Sequence, residues 1–233
     1  MPTLYENKQL VTPGDLLAEG DYIAGGNTYK EGDRIYASRL GLVNYELRKV
    51  DVVALSAFYA PAVGDLVIGK VVELNTGGWT VDINAPYIAM LRASDVLNRF
   101  KPQRDDLSRI FDVGDFILAT VVACDRTRDP LLTVREKGLG KINRGQVVKI
   151  TPTKIPRVIG RKGSMIGMLK NETGCNITVG QNGLILAEGR TPSDERLAIM
   201  AIRKIELESH TSGLTNRVTE MIRKEKEGES RIE

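Results

Sequence analysis

The chain has 233 residues, with 33 Lys+Arg against 30 Asp+Glu and 42% hydrophobic residues, enough for two or three compact domains and too apolar for a disordered chain. No run approaches the ~18 consecutive apolar residues of a membrane helix, and Met1-Pro2-Thr3-Leu4-Tyr5-Glu6 carries no basic-then-apolar leader, so a soluble cytoplasmic protein is expected. Two cysteines, Cys124 and Cys175, and one histidine, His210, cannot assemble a Cys/His zinc site; both thiols read as reduced core residues.

Taken in chain order, the first elements are announced by turns. Pro13-Gly14-Asp15, Glu31-Gly32-Asp33, Val63-Gly64-Asp65 and Val113-Gly114-Asp115 each open a short apolar run, as turns leading into strands do. Residues 34–38, 40–45 and 49–54 read as strands of a compact β module over residues 1–60. Ala60-Pro61-Ala62 reads as the link to the next unit, because proline is poorly placed in a paired strand. From residue 62 to 137 the pattern predicts strands at 65–74, 79–83, 87–91, 115–125 and 131–134, with an irregular or helical insertion at 92–112. Five short strands and one longer insertion predict an OB-type barrel.

Gly138 to Gly145 reads as a flexible joint, and residues 146–151 alternate as a strand. The strongest motif follows: Val158-Ile159-Gly160-Arg161-Lys162-Gly163-Ser164-Met165-Ile166, then Leu169 and Glu172-Thr173-Gly174-Cys175-Asn176-Ile177. A tight Gly-Arg-Lys-Gly loop lets a nucleic-acid backbone approach, while its two cations and the start of the next helix meet phosphates. Ser164 is expected to cap that helix, and Ile166, Leu169, Cys175 and Ile177 to form the core side of the bordering groove. A strand at 176–179, a turn at Gly180-Gln181-Asn182-Gly183, a strand at 184–187 and a helix from Glu195 to Ser209 complete the order strand, helix, helix, strand, strand, helix. The Gly180–Gly183 turn reads as buried against a neighbouring domain rather than as a second ligand loop. Residues 211–233 read as a C-terminal helix, docked through Leu214, Val218, Met221 and Ile222, with a solvated tail from Glu225.

Charge and aromatics are unevenly placed. From Lys137 to Asn171 there are nine cations and no Asp or Glu, a window suited to a polyanion, whereas all twelve aromatic residues precede residue 117. Base stacking on rings therefore belongs to the first half of the chain, and gripping by charge and backbone amides to the second.

These motifs carry two resemblances. Val63-Gly64-Asp65, Ile68-Gly69-Lys70-Val71-Val72, Gly77-Gly78-Trp79-Thr80-Val81-Asp82 and Leu91-Arg92-Ala93-Ser94 resemble the S1 RNA-binding domain, and the residues around Gly160 resemble a eukaryotic-type (type I) KH domain. The fold class implied is multidomain, mainly β and then α+β. In the S1 family RNA lies across the second and third strands, which implies contacts at Lys70, Trp79, Tyr87 and Arg92, with Arg126 or Arg128 supplying a phosphate contact and Asp125 at the end of the fourth strand. Trp79 is either a stacking platform or a core ring; its place beside a glycine turn favours the platform. In the KH domain, residues 145–210, the resemblance implies Arg157, Gly160, Arg161, Lys162 and Gly163.

Polynucleotide phosphorylase has the opposite order, KH before S1, and carries catalytic domains that 233 residues would not hold. With Val11-Thr12-Pro13-Gly14-Asp15, Gly26-Asn27-Thr28-Tyr29, Ile35-Tyr36-Ala37-Ser38 and Tyr59-Ala60-Pro61 in the first module, the whole chain is similar to the S1/KH cap subunits of the archaeal RNA exosome. That family resemblance implies a noncatalytic subunit without metal or cofactor. Three copies would sit on a hexameric RNase PH-like ring through the N-terminal module and pass single-stranded RNA to it. A metal nuclease site at Asp105, Asp106 and Asp112 is disfavoured for want of completing ligands. The other readings are a free-standing S1/KH factor of transcription or translation, a scaffold for the ring, and, least favoured, an enzyme in its own right. Gly160→Asp with Gly163→Asp is expected to weaken RNA binding without unfolding the chain.

Overall fold

A computed structural model describes residues 4–55, 58–97, 106–125, 128–209, 211 and 213–229. The chain divides into two units, residues 1–57 and 58–233. Among the described residues no helix is long and apolar enough to cross a membrane.

The first unit holds strands β1 (Leu10–Val11), β2 (Leu16–Glu19), β3 (Ile23–Ala24), β4 (Thr28–Glu31), β5 (Arg34–Ala37), β6 (Gly41–Glu46) and β7 (Lys49–Ala54). They form two small sheets, ordered β1-β6-β7-β3 and β2-β5-β4. Alternation along β5 and β7 sends Ile35, Ala37, Val50 and Val52 into a core shared with Val11, Leu17 and Val43. Tyr29 and Tyr36 stack across β4 and β5 with ring centroids 5.4 Å apart.

In the second unit, β8 (Leu66–Asn75), β9 (Gly78–Asp82), β10 (Ile88–Arg92), β11 (Phe116–Asp125) and β12 (Arg128–Thr133) close a five-stranded barrel, β12 pairing with both β10 and β11. The insertion after β10 holds α1 (Ala93–Val96) and a 3-10 turn at Leu107–Arg109. Three of the Gly-Asp turns share one build. In each, the Asp N–H donates to the carbonyl three residues back at 3.1 Å (Asp15 to Thr12, Asp65 to Ala62, Asp115 to Asp112), and its carboxylate accepts from that residue's N–H. Gly14, Gly64 and Gly114 take φ of 92°, 91° and 98°, the position of a tight turn that favours glycine.

The stretch expected as a flexible joint is instead partly strand. β13 (Gly140–Lys141) pairs with β11, and Ile142 donates its N–H to Phe116 O at 2.9 Å. The KH part follows: β14 (Gln146–Lys149), α2 (Ile155–Ile159), α3 (Ser164–Thr173), β15 (Asn176–Val179), β16 (Leu184–Glu188) and α4 (Pro192–Leu207), with the sheet ordered β14-β16-β15. Thr191 caps α4, its hydroxyl accepting from Asp194 N while Asp194 accepts from Thr191 N. α5 (Leu214–Glu229) is the last described element, and Leu214, Val218 and Ile222 enter the same core as Leu169, Ile177 and Ile202. The segment expected to be a tail from Glu225 continues this helix as far as Glu229.

Barrel and KH part are joined through the Gly180–Gly183 turn. Asn182, 0% exposed, donates from Nδ2 to Ile68 O at 2.6 Å and Ile83 O at 2.7 Å, and Gln181 N donates to Leu66 O at 2.8 Å. Ile68, Leu184 and Leu186 bury one another there, flanked by Phe116, Leu118 and Ile142. The turn is thus a buried seam within one unit.

Candidate nucleic-acid interface

The KH loop is built by backbone conformation before any side chain acts. α2 ends as Gly160 N donates to Pro156 O at 2.9 Å; Gly160, Lys162 and Gly163 then take φ of 73°, 52° and 78°, which turns the chain into α3. A Cβ on Gly160 would lie 2.7 Å from Met165 N and 2.8 Å from Met165 Cβ, whereas one on Gly163 would meet only Ile166 at 3.8 Å. Gly160→Asp is therefore no clean binding variant: it drives a side chain into the first turn of α3, against the expectation that the double Asp variant leaves the fold intact. Ser164 does not cap α3 either. The N-cap is Gly163, without a side-chain bond, and Ser164 is already the first helical residue.

Arg157, Arg161 and Lys162 are exposed. Arg157 Nη2 donates to Thr211 O at 2.7 Å, which fixes its guanidinium beside the loop. Behind the loop Val158 and Leu169 are fully buried, so the cations stand on a rigid base.

The S1 residues divide into three groups. Trp79 is 0% exposed; its Nε1 donates to Phe111 O at 2.8 Å and its ring meets Phe111 edge-on at 5.1 Å. Trp79 therefore holds the insertion onto the barrel and is not a stacking platform, because it shares the inward face of β9 with Val81. Lys70 is exposed in the register row Ile88, Asp82, Lys70, Phe116, with Nζ 6.0 Å from the Phe116 ring centroid. Tyr87 and Arg92 share an open groove of about 990 Å³ that does not include Lys70. Arg126 lies outside the described residues.

That groove also contains residues the sequence reading passed over. Met90 joins Arg92 on the outward face of β10, and the parallel pairing Met90 to Leu131 brings in Leu131 of β12, with Val122 alongside; Arg128, already a candidate phosphate contact in the sequence, lines the same groove. Apolar side chains beside Tyr87 suit a base, and the two arginines stand beside Asp125 and Asp129, which line the same groove and offset their charge. Cys124 lines this groove and is partly exposed, unlike the core thiol expected; Cys175 is buried, and burial raises its pKa.

The acidic candidates are engaged in local structure. Asp106 accepts from Ser108 N at 3.1 Å and Ser108 Oγ at 2.7 Å, bonds that hold its carboxyl below the usual range, and Asp112 accepts from Val113 N at 2.8 Å. Asp105 lies outside the described residues, and among the described ones no three Asp, Glu, Cys or His side chains form a metal-holding group.

An S1-type barrel fused to a KH domain with an exposed cationic GxxG loop defines a protein of the S1–KH RNA-binding class. Comparison with known proteins agrees segment by segment: residues 8–56 match the exosome RNA-binding protein RRP4 N-terminal domain, residues 58–123 the RRP4 S1 domain, and residues 145–204 the KH domain. The exosome complex component Rrp4 of Thermofilum pendens is 45% identical over 221 residues, covering 93% of either chain. That of Pyrococcus furiosus is 46% identical over 222 residues, covering 93% of this chain and 83% of its own. A crystal structure assigned to an exosome complex RNA-binding protein superposes with a TM-score of 0.71 at 48% identity, covering 73% of this chain and 98% of that one. The chain belongs to the Rrp4 family of exosome complex components.

Proposed function

We propose that this protein is the noncatalytic RNA-binding cap subunit of an archaeal exosome, acting in the cytoplasm. Three copies sit on a hexameric RNase PH-like ring, each docking through its N-terminal module, residues 1–60. The Gly160–Gly163 loop captures single-stranded RNA by its backbone, and the S1 groove at Tyr87, Met90 and Arg92 passes the strand toward the ring, which does the chemistry.

The observation that carries this reading is the exposed loop itself. Two cations stand on a turn that three positive φ values hold open, inside a stretch from Lys137 to Asn171 without a single acidic side chain. The Rrp4 relatives, matched over almost the whole chain, support the assembly. A noncatalytic role is supported by the engagement of Asp106 and Asp112 in local turns, which removes two of the three carboxylates considered for a metal nuclease site.

Size-exclusion chromatography with light scattering tests the assignment, on the chain alone and mixed with an archaeal exosome ring, with RNA decay assayed on each fraction. Co-elution at three copies per ring, with decay only in the complex, is the expected result. RNA binding without association would identify a free-standing factor, and decay by the isolated chain would identify an enzyme.

A further inference from the structure

Beside the GxxG loop lies a pocket of about 410 Å³ that the KH fold alone would not enclose. Its walls come from Arg157 of α2, Gly160 and Arg161 of the loop, and Gly213, Leu214 and Thr215 at the start of α5. α5 lies beyond the segment that matches the KH domain, which ends at residue 204. It is nevertheless fixed in place. Leu214 is 2% exposed and Val218 and Ile222 are fully buried in the KH core, while the turn before the helix is fastened by Arg157 to Thr211 O and by Arg217 Nε to Glu208 Oε2 at 2.8 Å. Swinging this wall away would expose that apolar row and break the Arg157 bond. Among the described residues two guanidinium groups line the pocket and no carboxylate does.

We infer that the start of α5 is part of the RNA-binding site: the ribose-phosphate backbone of single-stranded RNA reaching the GxxG loop is held in this pocket, between Arg161 and the Gly213–Thr215 wall. The inference rests on the loop binding RNA, as proposed above. Charge and shape both point to this ligand. An anionic group beside Arg157 and Arg161 gains charge-assisted contacts, and a wall made of a glycine and a small hydroxyl residue leaves room for the sugar. The C-terminal helix then acts in recognition as well as in packing.

Thr215 provides the test, because it is exposed and lies in the first turn of α5, where an acidic side chain suits the helix. Thr215→Glu should keep or slightly raise the thermal midpoint, yet weaken binding of a short single-stranded oligoadenylate about fivefold, the size of one unit-charge repulsion across ~4 Å of water. Thr215→Lys should tighten binding by a comparable factor, a gain that damage to the fold cannot imitate. Lys224→Glu, exposed on the same helix about 13 Å further along, should change affinity less than about twofold despite its larger change in net charge. Arg161→Gln with Lys162→Asn should weaken binding and flatten the dependence of log affinity on log salt by about 0.7 per lost contact. Full loss in that loop variant with unchanged affinity in both Thr215 variants would overturn the inference and leave the loop reading standing. Unchanged affinity in all of them would overturn both.

Discussion

The KH part contains two Gly-x-x-Gly turns with opposite fates. Gly160-Arg161-Lys162-Gly163 stands in solvent with both middle side chains exposed; in Gly180-Gln181-Asn182-Gly183 the Gln181 side chain is exposed, but both glycines are buried and Asn182, 0% exposed, is inserted against the barrel. The difference lies in what the middle residues can do. A guanidinium and an ammonium resist burial without a partner, whereas an amide brings two donors and an acceptor that can all be satisfied by backbone. Asn182 does so, donating to Ile68 O and Ile83 O and accepting from Ile68 N at 3.4 Å. Spacing alone thus defines a turn, and the residues between the glycines decide whether it faces RNA or another domain.

The largest effect should come from breaking the buried turn. Asn182→Asp places a carboxylate against two carbonyl oxygens and removes both donors, so unfolding by urea should show a loss of about 3–5 kcal/mol or a separate transition for the KH part. Unchanged stability would mean that the seam does not depend on this amide. The glycines sharpen the contrast at the next level. In the buried turn a Cβ on Gly180 would meet Asn182 Oδ1 at 2.5 Å and one on Gly183 would meet Ile150 O at 2.5 Å, so neither position has room; in the exposed loop only Gly160 is so confined. Gly160→Ala should cost about 2–3 kcal/mol and Gly163→Ala about 1 kcal/mol, the left-handed backbone alone accounting for the smaller figure. Equal losses at the two positions would remove the steric distinction.

How much of this was legible in the sequence follows from which features are local. The Gly-Asp turns and the runs after them placed the barrel strands to within a residue or two at most ends, because both signals lie within a few residues of each other. The GxxG loop and the buried reading of the second turn were legible for the same reason. Trp79 was misread although the information was present: Trp79, Val81 and Ile83 alternate on one face, and all three are buried. The glycine turn beside it suggested exposure, and strand parity decided otherwise. Ser164 was misread because residue type favours it as a cap, while the positive φ at Lys162 and Gly163 starts the helix one residue earlier than a serine cap would. The S1 groove was only half legible. Met90 and Leu131 meet through a parallel pairing that spans some forty residues, which no local pattern announces.

Acid offers the mildest way to separate the exposed loop from the junction of barrel and KH part. β13, which carries the chain from barrel to KH part, is held to β11 partly by Lys141 Nζ donating to Asp115 Oδ2. Burial pushes the Asp115 carboxyl upward, but Lys141 and the Asp112 N–H outweigh it and the net shift is downward. A carboxyl lowered in the folded state stabilises fully above its unfolded value, near pH 4, and that contribution fades as pH falls through the folded value. Both partners are partly in solvent, so the loss should be about 1 kcal/mol or less. The stretch from Lys137 to Asn171 has no carboxylate of its own, so the GxxG loop should keep its conformation over the same range. Amide chemical shifts followed downward from pH 6 should therefore move around Asp115 and β13 before any change at residues 160–163, which stay fixed until global unfolding. Movement of the loop ahead of β13 would show that the loop is coupled to carboxylates elsewhere in the fold, and would break the distinction between an independent RNA-facing turn and a seam that carries the interdomain contact.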